Sequence, residues 1–360
     1  MKISKELQLP CGVIIKNRFL KSAMTEGIAN EDAEANSRHV NLYDRWAKGG
    51  SGVLVTGNVQ VYHRYIERAG NVVIEGEQSN SQRNALVEWS KAGTQNNTQL
   101  WMQISHAGRQ TPYGINTESV APSANRLQPL GGVLKFGNPR ELTKSEILNI
   151  IDRFINAAVI AKETGFTGVQ LHSAHGYLLS EFLSPNINQR SDEWGGSLQN
   201  RARLLLETIS GIRSKVGNDY PISVKLNSSD FQKGGFSHEE SLEVAKMLDQ
   251  SSLDLLEISG GTYENFTALD IGSMNLKESR TIKPSRSTVV REAYFLKYAS
   301  EIKEHISLPL AVTGGFRSTD GMNKALESNA CDIIGLGRPL CSEPDLVNNL
   351  LSGNKSSATL

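Results

Sequence analysis

The sequence predicts an α/β protein, a single (β/α)8 TIM barrel with an N-terminal β-hairpin closing its bottom, and three observations carry that reading. Eight short apolar, β-branched segments recur along the 360 residues, helical patterns separate most of them, and no GxGxxG turn follows the first strand. Strands that are apolar on nearly every residue belong to parallel sheets buried on both faces. Repeated strand–helix alternation favours a closed barrel over an open sheet, and the missing glycine fingerprint weighs against a dinucleotide-binding fold.

The elements follow in order. Residues 7–9 and 13–15, joined by Pro10-Cys11-Gly12, read as the hairpin. Strands are predicted over 19–24, 52–56, 99–104, 167–171, 222–226, 255–258, 310–313 and 332–336. Residues 145–163 place Ile147, Ile150, Ile151, Phe154, Ala158 and Ala161 on one helical stripe, with Gly165 where a C-terminal cap belongs. Helices are also expected over 200–216, 239–248, 291–304 and 319–328. The stretch 108–142, rich in Gly, Pro, Ser and Asn, reads as a functional loop over a site. Residues 1–352 form the expected barrel, and 353–360 a flexible tail.

Composition narrows the function. Lys and Arg total 38, as do Asp and Glu, so the chain lacks the basic excess a nucleic-acid binder uses against phosphates. Three scattered cysteines, Cys11, Cys331 and Cys341, supply neither a disulfide scaffold nor a Cys-rich metal site. No run reaches the ~18 apolar residues of a membrane span. The N-terminus lacks the apolar core of a signal peptide. These features point to a cytoplasmic protein acting on a small molecule, with a homo-oligomer allowed.

Barrel enzymes gather their chemistry at the C-terminal ends of the strands. Here those ends are Met24-Thr25-Glu26, Thr56-Gly57-Asn58, Gln103, His172, Lys225-Leu226-Asn227, Ser259-Gly260-Gly261, Thr313-Gly314-Gly315 and Gly337-Arg338. The ring has too few carboxylates for a divalent-metal site or a glycosidase pair. Gly314, Gly315, Gly337 and Arg338, on the last two strands, suit a phosphate through backbone N–H groups and a guanidinium fork, although such glycines also simply make tight turns. His172 and His175 lie three apart. They can offer paired hydrogen bonds to one oxygen, ligate a metal with a third partner such as His106, or serve as core residues. Tyr177 is a candidate proton donor. Lys225 fits either a Schiff-base lysine, as in a flavin-free lyase or aldolase, or a fixed positive charge beside an anion. Gln103 can pair with an amide-like ring edge, or anchor a loop.

Several segments in their order carry a resemblance: Lys16-Asn17-Arg18, Ser22-Ala23-Met24-Thr25, His106-Ala107-Gly108-Arg109, His172-Ser173-Ala174-His175-Gly176-Tyr177 and the run from Asn188 to Arg201. Gly260-Gly261-Thr262-Tyr263, Thr313-Gly314-Gly315 and Gly337-Arg338-Pro339 complete it. The chain resembles the Old Yellow Enzyme family of FMN-dependent ene-reductases over nearly its whole length. The resemblance implies a non-covalent FMN at the top of the barrel, reduced by NADH or NADPH. It implies that Ala23, Met24 and Thr25 line the flavin, Gly57 and Gln103 meet its pyrimidine edge, and Lys225 lies near N1 and the C2 carbonyl. Gly314, Gly315, Gly337 and Arg338 would hold the phosphate, Ser259 the ribityl chain. His172 and His175 would bind the oxygen of an unsaturated carbonyl or quinone-like substrate, and Tyr177 would protonate the α-carbon. Lys225 stands where many relatives carry Arg. Trp194 and Arg201 read as structural, Glu26 and Tyr263 as rim residues. A flavin-binding protein without useful turnover is the other alternative to the reductase.

Overall fold

The structure is a computed structural model that describes residues 1–127, 134–261 and 295–359. Its strands are β1 (Leu7–Gln8), β2 (Ile14–Ile15), β3 (Phe19–Lys21), β4 (Val53–Val55), β5 (Val59–Gln60), β6 (Gln99–Ser105), β7 (Glu118–Ala121), β8 (Asn138–Glu141), β9 (Gly168–Ser173), β10 (Ile222–Asn227), β11 (Leu255–Ser259), β12 (Leu310–Thr313) and β13 (Ile333–Leu336). All pairings in the main sheet are parallel. They run β3-β4-β6-β9-β10-β11-β12-β13 and back to β3, with β5 added beside β6. That closed ring is a (β/α)8 barrel.

The helices are α1 (Ser37–Lys48), α2 (Asn80–Gly93), α3 (Lys144–Glu163), α4 (Leu178–Leu183), α5 (Leu198–Val216), α6 (His238–Asp249), α7 (Leu296–Lys303), α8 (Thr319–Glu327), α9 (Pro339–Ser342) and α10 (Leu346–Ser352). α3 shows how sequence sets the boundaries. Thr143 and Glu146 form a reciprocal capping box at its start. At its end Gly165, at φ +90°, adopts a left-handed conformation that costs an L side chain, and Phe166 N–H closes back on Ala161. The first residues of the helix expected over 291–304, up to 294, lie outside the described residues, as do Thr262 and Tyr263.

Successive residues of each strand face opposite sides of the barrel wall. Val169, Leu171, Val224, Leu226, Leu256 and Ile258 face outward and pack with helix residues such as Phe154, Leu205, Ile209 and Val244. Leu20, Val53, Val55, Trp101, Leu255, Ala311 and Ile333 face inward and form a separate apolar plug. Leu9 and Ile15 belong to that plug, so the hairpin β1–β2 closes the bottom.

Two segments depart from the sequence reading. Within 108–142 the described residues form β7 and β8, a parallel pair of their own, and none of them lines the cavity described below. The end of the chain is not free: Ala358 N–H donates to Arg317 O at 2.9 Å, Thr319 N–H to Ser356 O at 2.8 Å, and Thr359 N–H to Glu343 at 2.6 Å. Thr359 reaches the cavity wall. No described helix is long and apolar enough to cross a membrane.

Candidate active site

At the top of the barrel lies a cavity of about 520 Å3. Ala23, Met24, Thr25, Gln103, His172, His175, Tyr177, Lys225, Ser259, Gly314, Gly315, Gly337 and Arg338 all line it, so the strand-end reading converges on one place. Gly57 is the exception. Its N–H donates to Glu26 at 3.1 Å and to Tyr43 Oη at 3.2 Å, and a Cβ there would collide with the Glu26 carboxylate. It is a glycine because Glu26 packs on it, and Glu26 is a structural acceptor rather than part of the cavity wall. Arg201 and Trp194 also lie off the cavity; Arg201 binds Leu183 O and the Glu240 carboxylate.

The floor of the cavity is a buried polar network. Lys225 lies 3.0 Å from Glu257 Oε1 and donates to Ser22 Oγ at 2.9 Å, reaching across the barrel from β10 to the residue after β3. Ser22 and Thr313 hydroxyls each donate to Glu257 Oε1 at 2.6 Å, and Gln170 Nε2 donates to Oε2 at 2.8 Å. Gln103 in turn donates to Gln170 at 2.7 Å. Burial acts to raise the Glu257 carboxyl, but Lys225 and the three donors outweigh it and hold it below its usual value. The charge of Lys225 is therefore compensated within the protein. Its Nζ is held between Glu257 and Ser22 rather than standing alone in the cavity.

Above the floor runs a chain of side chains. Glu67 accepts from Thr25 Oγ1 at 3.0 and 3.1 Å and from Asn58 Nδ2 at 2.6 Å. Asn58 Oδ1 lies 2.7 Å from His172 Nδ1, His172 Nε2 lies 3.1 Å from His175 Nδ1, and His175 Nε2 lies 2.8 Å from Ser259 Oγ. The Tyr177 ring packs against His172 with centroids 4.5 Å apart. His175 is held at φ +60°, a strained conformation, by Asn227 Oδ1 on its N–H and Gln110 Nε2 on its carbonyl. Burial, and then the neighbouring His175 and Lys225, push the His172 imidazole well below its ordinary pKa. Burial and then Lys225 bring His175 to about 3. Both rings are neutral near pH 7. Among the described residues no cluster of three potential metal ligands exists.

The remaining wall is glycine. Gly314 and Gly315 sit at φ +132° and +83°, and a Cβ on Gly314 would meet Phe295 at 3.0 Å. At Gly337 the nearest protein atom to an added Cβ is Met24 Sδ at 3.7 Å, so this glycine relieves no clash but keeps the cavity wall low. Together with Arg338 the three form an open, donor-rich cradle of the kind a phosphate takes. A flat ring with a polar edge and a phosphate tail, as in FMN, fits this donor set.

A barrel with such a mouth is a cofactor-dependent oxidoreductase of the flavin-binding kind. The comparisons agree: the model of the NADH:flavin oxidoreductase / NADH oxidase family matches residues 8–356, and the chain belongs to that family. It is thus an FMN-dependent oxidoreductase with NADH as electron donor. The NADH-dependent flavin oxidoreductase iliE of Hypocrea jecorina is 35% identical, covering 99% of this chain and 91% of its own. A 2-naphthoyl-CoA reductase, solved with 2-naphthoyl-CoA, superposes with a TM-score of 0.85 at 28% identity; it covers 98% of this chain, which spans 52% of that one. The Old Yellow Enzyme homologue from Zymomonas mobilis shares the fold at TM-score 0.80 and 23% identity, covering 100% of this chain and 95% of its own.

Glu257 and Glu67 are the site residues that strand-end reading misses; Asn58 stands in that ring without a role of its own. Glu257 is legible in retrospect as a lone charge inside the apolar run Leu255-Leu256-Glu257-Ile258. Glu67 lies in irregular chain between β5 and α2, where no periodicity marks it.

Proposed function

We propose that this protein is an ene-reductase that saturates the C=C bond of an α,β-unsaturated carbonyl or a quinone-like acceptor. The observation that carries the reading is the imidazole pair, His172 and His175, 3.1 Å apart on the cavity wall with the Tyr177 ring against it. Bound FMN, once reduced by NADH, would supply the hydride for the β-carbon. His172 and His175 receive the substrate oxygen, and a hydrogen bond there strengthens as charge moves onto that oxygen. Tyr177 gives the proton that the α-carbon needs. Gly314, Gly315, Gly337 and Arg338 would hold the cofactor phosphate, Ala23, Met24, Thr25 and Gln103 would line its ring, and Ser259 and Lys225 would complete the contacts. Because Glu257 offsets Lys225, the lysine acts here as an oriented donor more than as a net charge.

The test is a His172→Ala/His175→Ala variant loaded with FMN. The reading requires that reduction of 2-cyclohexenone slow by about 10^2–10^3-fold while FMN stays bound. An undiminished rate overturns it. Tyr177→Phe should slow the enone half-reaction by about 10^2-fold or more and leave reduction by NADH intact. Enone-independent bleaching by NADH with no reoxidation would leave a flavin protein without this turnover, and trapping of an imine on Lys225 with borohydride would revive the lyase.

A further inference from the structure

The floor of the cavity holds a cation and an anion of equal charge, and only the cation reaches the cavity. Lys225 lines it; Glu257, one inward step below Ser259 on β11, does not and is fully buried. At 3.0 Å apart the two form a dipole with its positive end upward and no net charge. Four donors converge on the carboxylate: Lys225, the Ser22 and Thr313 hydroxyls, and Gln170 Nε2. Such a set keeps a carboxylate ionised where water does not reach it. Reduction of FMN makes this balance matter. NADH gives up a hydride, two electrons with one proton, and leaves as NAD+. The flavin ring therefore gains one negative charge, and returns it with the hydride to the acceptor. A lone cation beside the ring would favour the reduced form strongly, because a buried site screens little. A neutral pair does so only through its dipole.

We infer that Glu257 is a positioning residue that acts through Lys225: it holds the lysine and cancels its charge, and so lowers the reduction potential of bound FMN. The lower potential leaves less driving force for uptake of the hydride from NADH and more for its delivery to the acceptor. The inference rests on the proposed contact of Lys225 with the flavin ring. The other charged side chains on the described cavity wall, Glu67, Arg317 and Arg338, stay the same in every comparison below.

The test is the midpoint potential of FMN in the loaded protein, read by anaerobic titration against a reference dye of known potential. Glu257→Gln keeps the shape of the side chain and removes its charge. It should favour reduced FMN by about a hundredfold, which is about 60 mV for a two-electron couple. Lys225→Met/Glu257→Gln removes both charges and should return to within about tenfold, about 30 mV, of the wild type. Both variants carry the same change at position 257, so a shift caused by rearranged hydrogen bonds to Gln170 would appear in both. A potential in Glu257→Gln at or below that of the wild type overturns the inference, and so does a double variant as high as the single one. If Glu257→Gln does not fold, the double variant decides alone: a fall of about a hundredfold or more marks an uncompensated lysine in the wild type and overturns the inference. No enone enters these titrations. Proteins that show the expected shifts but saturate no enone defeat the ene-reductase reading alone. Unmoved potentials in proteins that still reduce enones defeat this inference alone.

Discussion

The two ends of the barrel interior are built from the same strands and have opposite chemistry. Along β11 the inward positions run from Leu255 in the plug to Glu257 in the buried network and Ser259 in the cavity. β6 runs from Trp101 to Gln103, and β12 from Ala311 to Thr313. One inward step, about 6.6 Å of strand, separates a layer that stabilises by burying apolar surface from one that holds a charged pair out of water. The first favours folding outright. The second gives little net stability, because desolvation offsets its Coulombic gain, yet removing one partner is costly. The barrel therefore keeps its stability at the bottom and its chemistry at the top.

Lys225→Met should have the largest effect, about 3–5 kcal/mol of lost stability in urea unfolding, since it strands the buried Glu257 carboxylate. Lys225→Met/Glu257→Gln should recover most of that; a double variant no more stable than the single would show that the pair is not coupled. Leu255→Ala, one inward step lower, should cost about 2–5 kcal/mol and leave FMN affinity unchanged. Loss of FMN binding there would blur the division between the two ends. The third effect depends on pH. His172 and His175 stay neutral in the folded protein but take up protons in the unfolded chain below their ordinary value of 6.5. The unfolded state then binds more protons, so stability is full above that value and declines as pH falls toward about 3, where His175 itself titrates. From pH 7 to about 6 the two together should cost about 1–1.5 kcal/mol, and His172→Ala/His175→Ala should flatten the slope by that amount. The smallest effect lies outside both ends: Thr143→Ala, which breaks the α3 capping box, should cost about 1 kcal/mol without touching activity.

What the sequence made legible follows the same division. The plug and the outward core are periodic, so their strands and helices show in the pattern of apolar residues. Strand-terminal residues such as His172, Lys225 and Gly337 are legible because a barrel sends every strand end to one mouth. Glu257 escapes because it lies one inward step below the end, where only strict alternation within the strand reveals it. Glu67 escapes because its role is set by contacts between distant segments, to Thr25 and to Asn58. Gly57 shows a general limit: a glycine permits close approach without saying of what, and in this structure the approaching group is Glu26. The last residues looked like a tail because hydrogen bonds to the Arg317 carbonyl and the Glu343 carboxylate leave no trace in composition.

We propose that this mouth carries hydride from NADH to a carbon double bond. Anaerobic turnover of 2-cyclohexenone with NADH deuterated at its transferable C4 position tests it most directly. The expected product is cyclohexanone with one deuterium on the β-carbon, formed by the wild type and nearly absent with His172→Ala/His175→Ala. Bleaching of the flavin by NADH with the enone recovered unlabelled and intact would contradict it.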